Sequence, residues 1–194
     1  MRFAETAFSL DSSDPRVQCT LGYISMTWRD FKRAEHHLNL AKAMNPNDAT
    51  ILILWASLQG ALGRPELGLA GAEIACRLNT LHPSWYNYYK ARLLFLGGRY
   101  SEAALLLEQR TFDTPETEPR DMAWRAASYA QLDRLEDAKS CAEAFVRAVG
   151  KRWCGDPTAG PSEYTDWLID VSYLERADDM LHLRDALKLA GLPA

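Results

Sequence analysis

Small and bulky apolar positions return along this chain in a fixed register. Gly22, Ala56, Ala91 and Ala126 stand at intervals of 34, 35 and 35 residues. The same intervals separate Phe31, Pro65, Tyr100 and Leu135, and again the small Ala34, Gly68, Ala103 and Ala138. Between these marks the apolar residues fall three and four apart, the spacing of one helix face. A period of this size with helical spacing inside it predicts a stack of two-helix units. Such stacks bury a continuous core between neighbours and leave extended surfaces that take up other chains.

The first unit is the clearest. Val17, Leu21 and Ile24 make one helical face, Trp28-Arg29-Asp30 a turn, and Phe31, Ala34, Leu38 and Ala41 a second face. Met44-Asn45-Pro46-Asn47-Asp48 ends the unit, because proline cannot continue a helix and Asn and Asp favour turns. A second unit turns at residues 60–65. There Pro65, just after Gly63, reads as the start of the next helix. A third begins with the aromatics Trp85, Tyr86, Tyr88, Tyr89 and Phe95 and turns at Gly97-Gly98-Arg99-Tyr100. A polar, proline-bearing loop is predicted over 111–119, then a fourth unit turning at Asp133-Arg134. The expected organisation is an array over 1–149, with a half repeat at 3–14 and repeats near 15–48, 49–82, 83–118 and 119–149. An irregular loop over 150–161 and C-terminal helices over 162–194 follow, the helices covering the apolar end of the stack. Ala7 lies 34 residues before Ala41, so residues 3–10 read as the second helix of an earlier repeat. That reading makes the chain a piece of a longer protein, the alternative being a native cap.

Leu21-Gly22, Phe31, Ala34, Ala41 and Pro46 resemble the tetratricopeptide repeat, and the common register extends the resemblance over residues 3–149. The later repeats depart at Pro65, Gly68, Arg110 and Asp133. The resemblance implies an all-α, right-handed superhelix of stacked hairpins that binds protein partners. Residues 44–49, 81–86 and 127–132 and the ending Leu187-Lys188-Leu189-Ala190-Gly191-Leu192-Pro193 also resemble repeat regions of bacterial class III adenylate/guanylate cyclases. Similar regions follow winged-helix domains in bacterial regulators. That second resemblance implies a regulatory, non-catalytic part of a signalling protein.

Charge narrows the partners. A formal net charge of -4, with both signs mixed, argues against a general nucleic-acid surface. No apolar run reaches the roughly 20 residues that span a bilayer, and the first residues lack the apolar core of a signal peptide. A cytoplasmic location is expected. Cys19, Cys76, Cys141 and Cys154 are too scattered for a disulfide framework or a zinc site. His36 and His37 are adjacent and point different ways on a helix, so neither they nor the isolated His82 and His182 suggest a metal. No phosphate loop or nucleophile arrangement is present. No catalytic, cofactor or metal residue is assigned, and an enzyme is not expected.

The resemblance places the first helices of successive repeats along a concave groove. By register this gives Arg16, Cys19, Tyr23 and Met26, then Thr50, Ile53 and Ser57, then Trp85, Tyr88, Arg92 and Phe95, then Arg120, Ala123, Ala127 and Gln131. Arg16, Tyr23, Met26, Trp85, Tyr88, Arg92, Phe95 and Gln131 are the candidate partner contacts, aromatics and arginines being suited to peptide or helix recognition. Trp85, Tyr88 and Phe95 read equally well as packing residues. Positions that in the family hold a peptide carboxylate are here Cys19, Tyr23, Leu54, Trp85 and Tyr89, so that clamp is absent. The partner expected is a peptide, a helix or a neighbouring domain, and the alternatives to a fused regulatory region are a free-standing adaptor and a self-associating scaffold.

Overall fold

The computed structural model describes residues 13–113 and 118–193, which form ten α-helices and no strand. The helices are α1 (Pro15–Thr27), α2 (Phe31–Met44), α3 (Ala49–Ala61), α4 (Pro65–Leu78), α5 (Trp85–Leu96), α6 (Tyr100–Asp113), α7 (Pro119–Gln131), α8 (Leu135–Gly150), α9 (Pro161–Asp170) and α10 (Ala177–Leu189). Consecutive helices pair as hairpins, α1 with α2 through α7 with α8, and each hairpin stacks on the next. The first helices α1, α3, α5 and α7 also touch one another and line the inner side. The result is the expected right-handed superhelix of hairpins.

Local chemistry starts and stops these helices. Asp14 accepts from the Arg16 N–H at 2.7 Å, Asp30 from Arg33 at 3.1 Å, and Asp48 from Thr50 and Ile51 at 2.9 and 3.1 Å. Each satisfies donors that the first turn leaves free. Pro15, Pro65, Pro119 and Pro161 open their helices, where a missing N–H costs nothing. Every turn within a hairpin closes the same way. The N–H groups of Asp30, Arg64, Arg99 and Arg134 donate to the carbonyls of Ser25, Gln59, Leu94 and Tyr129 at 2.8–3.0 Å. The residue before each donor is left-handed: Arg29 (φ 59°), Gly63 (73°), Gly98 (74°) and Asp133 (58°). Glycine takes that conformation freely; Arg29 and Asp133 do not.

The repeating small residues set the helix spacing. Ala34, Ala56, Ala103, Ala126 and Ala138 are fully buried. At Gly22 an added methyl group would lie 2.6 Å from Leu38 Cγ, and at Gly68 2.7 Å from the Ala56 carbonyl oxygen. The bulky series varies more: Phe31 is buried, Tyr100 half-buried and Leu135 47% exposed.

Two expectations need revision. The predicted loop over 111–119 is shorter, since α6 runs through Asp113 and Pro119 already opens α7. Residues 114–117 lie outside the described residues, as does the half repeat at 3–10. Residues 151–160 join α8 to α9 without a helix, and within them Asp156 Oδ1 accepts from both the N–H and the hydroxyl of Thr158 at 2.8 Å. The C-terminal helices do more than close the end of the stack: α9 packs on α8, but α10 returns along α7 toward the inner side.

Candidate functional site

The chain's own C-terminal segment lies against the inner face. Residues 171–176 leave α9, cross the groove and lead into α10. Arg29, at the left-handed position of the first turn, donates to the Asp170 carbonyl and carboxylate at 2.9 Å and to the Leu174 carbonyl at 3.1 Å. Arg92 donates to the Ser172 carbonyl. The Glu175 N–H donates to the carbonyl of Ala61, a free acceptor at the end of α3, at 3.0 Å. Leu174 is fully buried. Further on, His182 packs at 5.1 Å from the Phe95 ring and pairs with the Tyr100 hydroxyl at 3.1 Å.

The candidate contacts divide by burial. Met26, Tyr88, Arg92 and Phe95 are 1–5% exposed and are packing residues in this conformation. Ile53, Ser57, Ala123 and Ala127 are buried as well. Arg92 sits among Tyr88, Tyr89 and Trp124, its guanidinium carbon 5.5, 5.9 and 5.3 Å from the ring centroids. Its Nε and the Tyr88 hydroxyl have no hydrogen-bond partner among the described residues. Arg16 stays exposed, and Tyr23, Trp85 and Gln131 stay half-buried.

A cavity of about 290 Å³ between α1 and α3 is lined by Arg16, Cys19, Tyr23, Thr50 and Leu54, with Asp48 at its edge. Trp85 stands edge-on to Tyr86 at 4.3 Å and to Tyr89 at 5.8 Å, and the Tyr86 hydroxyl bridges to Thr50 at 3.1 Å. Burial first, then the adjacent Tyr23, which accepts its hydrogen bond, holds the Tyr89 phenol well above its usual range. Burial and the Asp48 carboxylate push the Cys19 thiol up to about 12, so this wall of the cavity is neutral and unreactive. Thus the cavity offers neutral hydroxyls, aromatic surface, one exposed arginine and the Asp48 carboxylate at its edge.

Sequence reasoning missed Arg29, residues 172–176 and His182. One signal pointed to Arg29: it stands where two other repeats carry glycine. Nothing in the register marks residues 172–176, because they follow the last repeat. Among the described residues no group of three or more His, Cys, Asp or Glu is placed to hold a metal, and no helix is long and apolar enough to cross a membrane. His37 turns to Gln18, its Nδ1 pairing with Oε1 at 2.8 Å.

No family model and no curated protein matches the sequence. Solved structures do. A type IV pilus biogenesis factor, PilW, aligns with a TM-score of 0.69 at 17% identity, over 95% of this chain and 81% of its own. PilF of Pseudomonas aeruginosa aligns at 0.62 and 16%, over 93% and 76%. YrrB, described as a tetratricopeptide-repeat protein with an unusual peptide-binding site, aligns at 0.57 and 13%, over 94% and 97%. The chain therefore has the tetratricopeptide-repeat fold.

Proposed function

We propose that this chain is a non-catalytic interaction module that takes a peptide or helix of a partner protein on its concave face. The observation that carries this reading is the cavity beside Tyr23, whose walls come from α1, α3 and the turn before α3. Rigid aromatic rings, half-exposed and already fixed by their neighbours, lose little entropy on contact and suit recognition. Arg16 adds a charge at the rim. That YrrB is described as having a peptide-binding site supports the same use of this fold. Gln131, half-buried at the end of α7, is assigned a minor role.

The string resemblances over 44–49, 81–86, 127–132 and 187–193 extend the proposal. They support a place in a cytoplasmic bacterial signalling protein, in which groove occupancy shifts the activity of a fused nucleotide cyclase or DNA-binding domain. A second reading, a self-associating scaffold, draws on the outer face. Leu67, Ile74 and Leu78 of α4 are 47%, 41% and 46% exposed along one stripe.

Peptides selected from a displayed library on the purified chain give the test. Tyr23→Ala and Trp85→Ala are expected to weaken the best peptide at least about tenfold while the melting curve keeps its shape. Unchanged affinity in both folded variants rejects this groove. Sedimentation at several concentrations decides the second reading, which predicts a mass that rises with concentration and falls in Ile74→Glu.

A further inference from the structure

A second cavity, of about 510 Å³, lies where the first turn of α7, the end of α8, the following loop and α9 meet. Its volume is in the range of small-molecule sites, roughly 300–1,000 Å³. Val149, Trp153 and Trp167 supply apolar walls, and Arg120, Arg152 and Glu118 the charged rim.

The aromatic wall is built rather than incidental. The Trp153 N–H donates to the Asp156 carbonyl at 3.2 Å, so its polar edge is satisfied within its own loop. Gly155 lets that loop close on the indole, since an added methyl group would lie 2.8 Å from Nε1. The ring is further held by Tyr164 at 4.9 Å and by Trp167, perpendicular to it at 6.4 Å. What Trp153 contributes to the cavity is fixed, apolar ring surface.

The rim carries the half-buried Arg120 guanidinium near the Glu118 carboxylate, with Arg152 exposed beside them. Arg120 is half-buried over the Tyr88 ring, 5.2 Å from its centroid. Among the described residues no carboxylate forms an ion pair with it. A guanidinium in that setting favours a planar two-oxygen anion, which it meets with two parallel hydrogen bonds.

We propose that this cavity binds an aromatic carboxylate: a planar ring against the Trp153 and Trp167 indoles, with one negative charge on Arg120. The group comes either as a free small acid or as the end of a peptide finishing in an aromatic residue. This does not depend on the groove beside Tyr23.

Titration by ligand-observed NMR with phenylacetate and benzyl alcohol tests it. Phenylacetate is expected to bind at about millimolar affinity, reasonable for so small a probe. The alcohol is expected to bind at least about tenfold more weakly, and Arg120→Gln to remove that preference. Cys154 lines the same cavity and is exposed, whereas Cys19 and Cys141 are buried. Its alkylation by N-ethylmaleimide in the wild-type protein is expected to slow at least about threefold under saturating phenylacetate. Equal binding of acid and alcohol, a preference that survives Arg120→Gln, or unprotected Cys154 overturns the proposal. The Cys154 measurement decides alone should the variant fail to fold. Gly-Gly-Phe with a free carboxylate identifies the source. Binding tighter than phenylacetate means a peptide end, and weaker binding means a free acid.

Discussion

Arg29 reaches from the turn of the first hairpin to the carbonyl oxygen of Leu174, 145 residues later, at 3.1 Å. Its backbone is left-handed, a conformation that costs a non-glycine residue about 1 kcal/mol. Glycine occupies the same place in the next two repeats, at Gly63 and Gly98. The strained arginine thus stands where its side chain ties the C-terminal segment into the groove. Arg29→Gly is expected to leave overall stability within about 1 kcal/mol, strain relief offsetting the lost hydrogen bonds. Amide exchange at residues 172–176 is expected to quicken about tenfold or more, with α3 unchanged. Hydrogen exchange resolved by peptide decides between this and a turn-only role.

Arg92 holds the same segment from inside. Arg92→Ala removes its bond to Ser172 and the stem packed among Tyr88, Tyr89 and Trp124. The expected loss is about 2–4 kcal/mol in urea unfolding. Arg92→Met keeps most of the volume and removes a buried charge with an unpaired Nε, so its loss is expected below about 1.5 kcal/mol. Equal losses in the two variants mean that charge, not packing, dominates there.

Glycine does different work at two positions. Gly22→Ala drives a methyl group to 2.6 Å from Leu38 Cγ and 3.0 Å from its backbone nitrogen, and is expected to cost about 1–3 kcal/mol. Gly98→Ala meets nothing within 4 Å and is opposed only by its φ of 74°, about 1 kcal/mol. Thermal melts of the two variants are expected to rank in that order.

His37 gives the first hairpin a pH dependence. Burial first, then His36 and Arg33, lowers its pKa below 6.5, with Asp30 acting in the opposite sense. As pH falls, the unfolded chain therefore takes up the proton before the folded one does. Stability present above about pH 6.5 is lost as pH drops toward the folded pKa. His37→Gln, which cannot titrate, is expected to flatten the change in urea midpoint between about pH 7.5 and 5.5. A slope identical to wild type assigns the pH dependence elsewhere.

The hairpin array was legible in the chain because its causes are local. Small residues at intervals of 34, 35 and 35, helix-opening prolines and capping aspartates act within a few residues of themselves or on the adjacent repeat. The inner face by register was legible too, but not which parts of it are free. Tyr23 and Trp85 remain accessible, whereas Met26, Tyr88, Arg92 and Phe95 are buried. Arg92 and Phe95 there meet Ser172 and His182, in a segment outside the repeat register. Periodicity fixes which side of a helix turns inward. Only the folded chain decides what meets it there, because a backbone carbonyl such as that of Ser172 or Leu174 can accept from any arginine that reaches it.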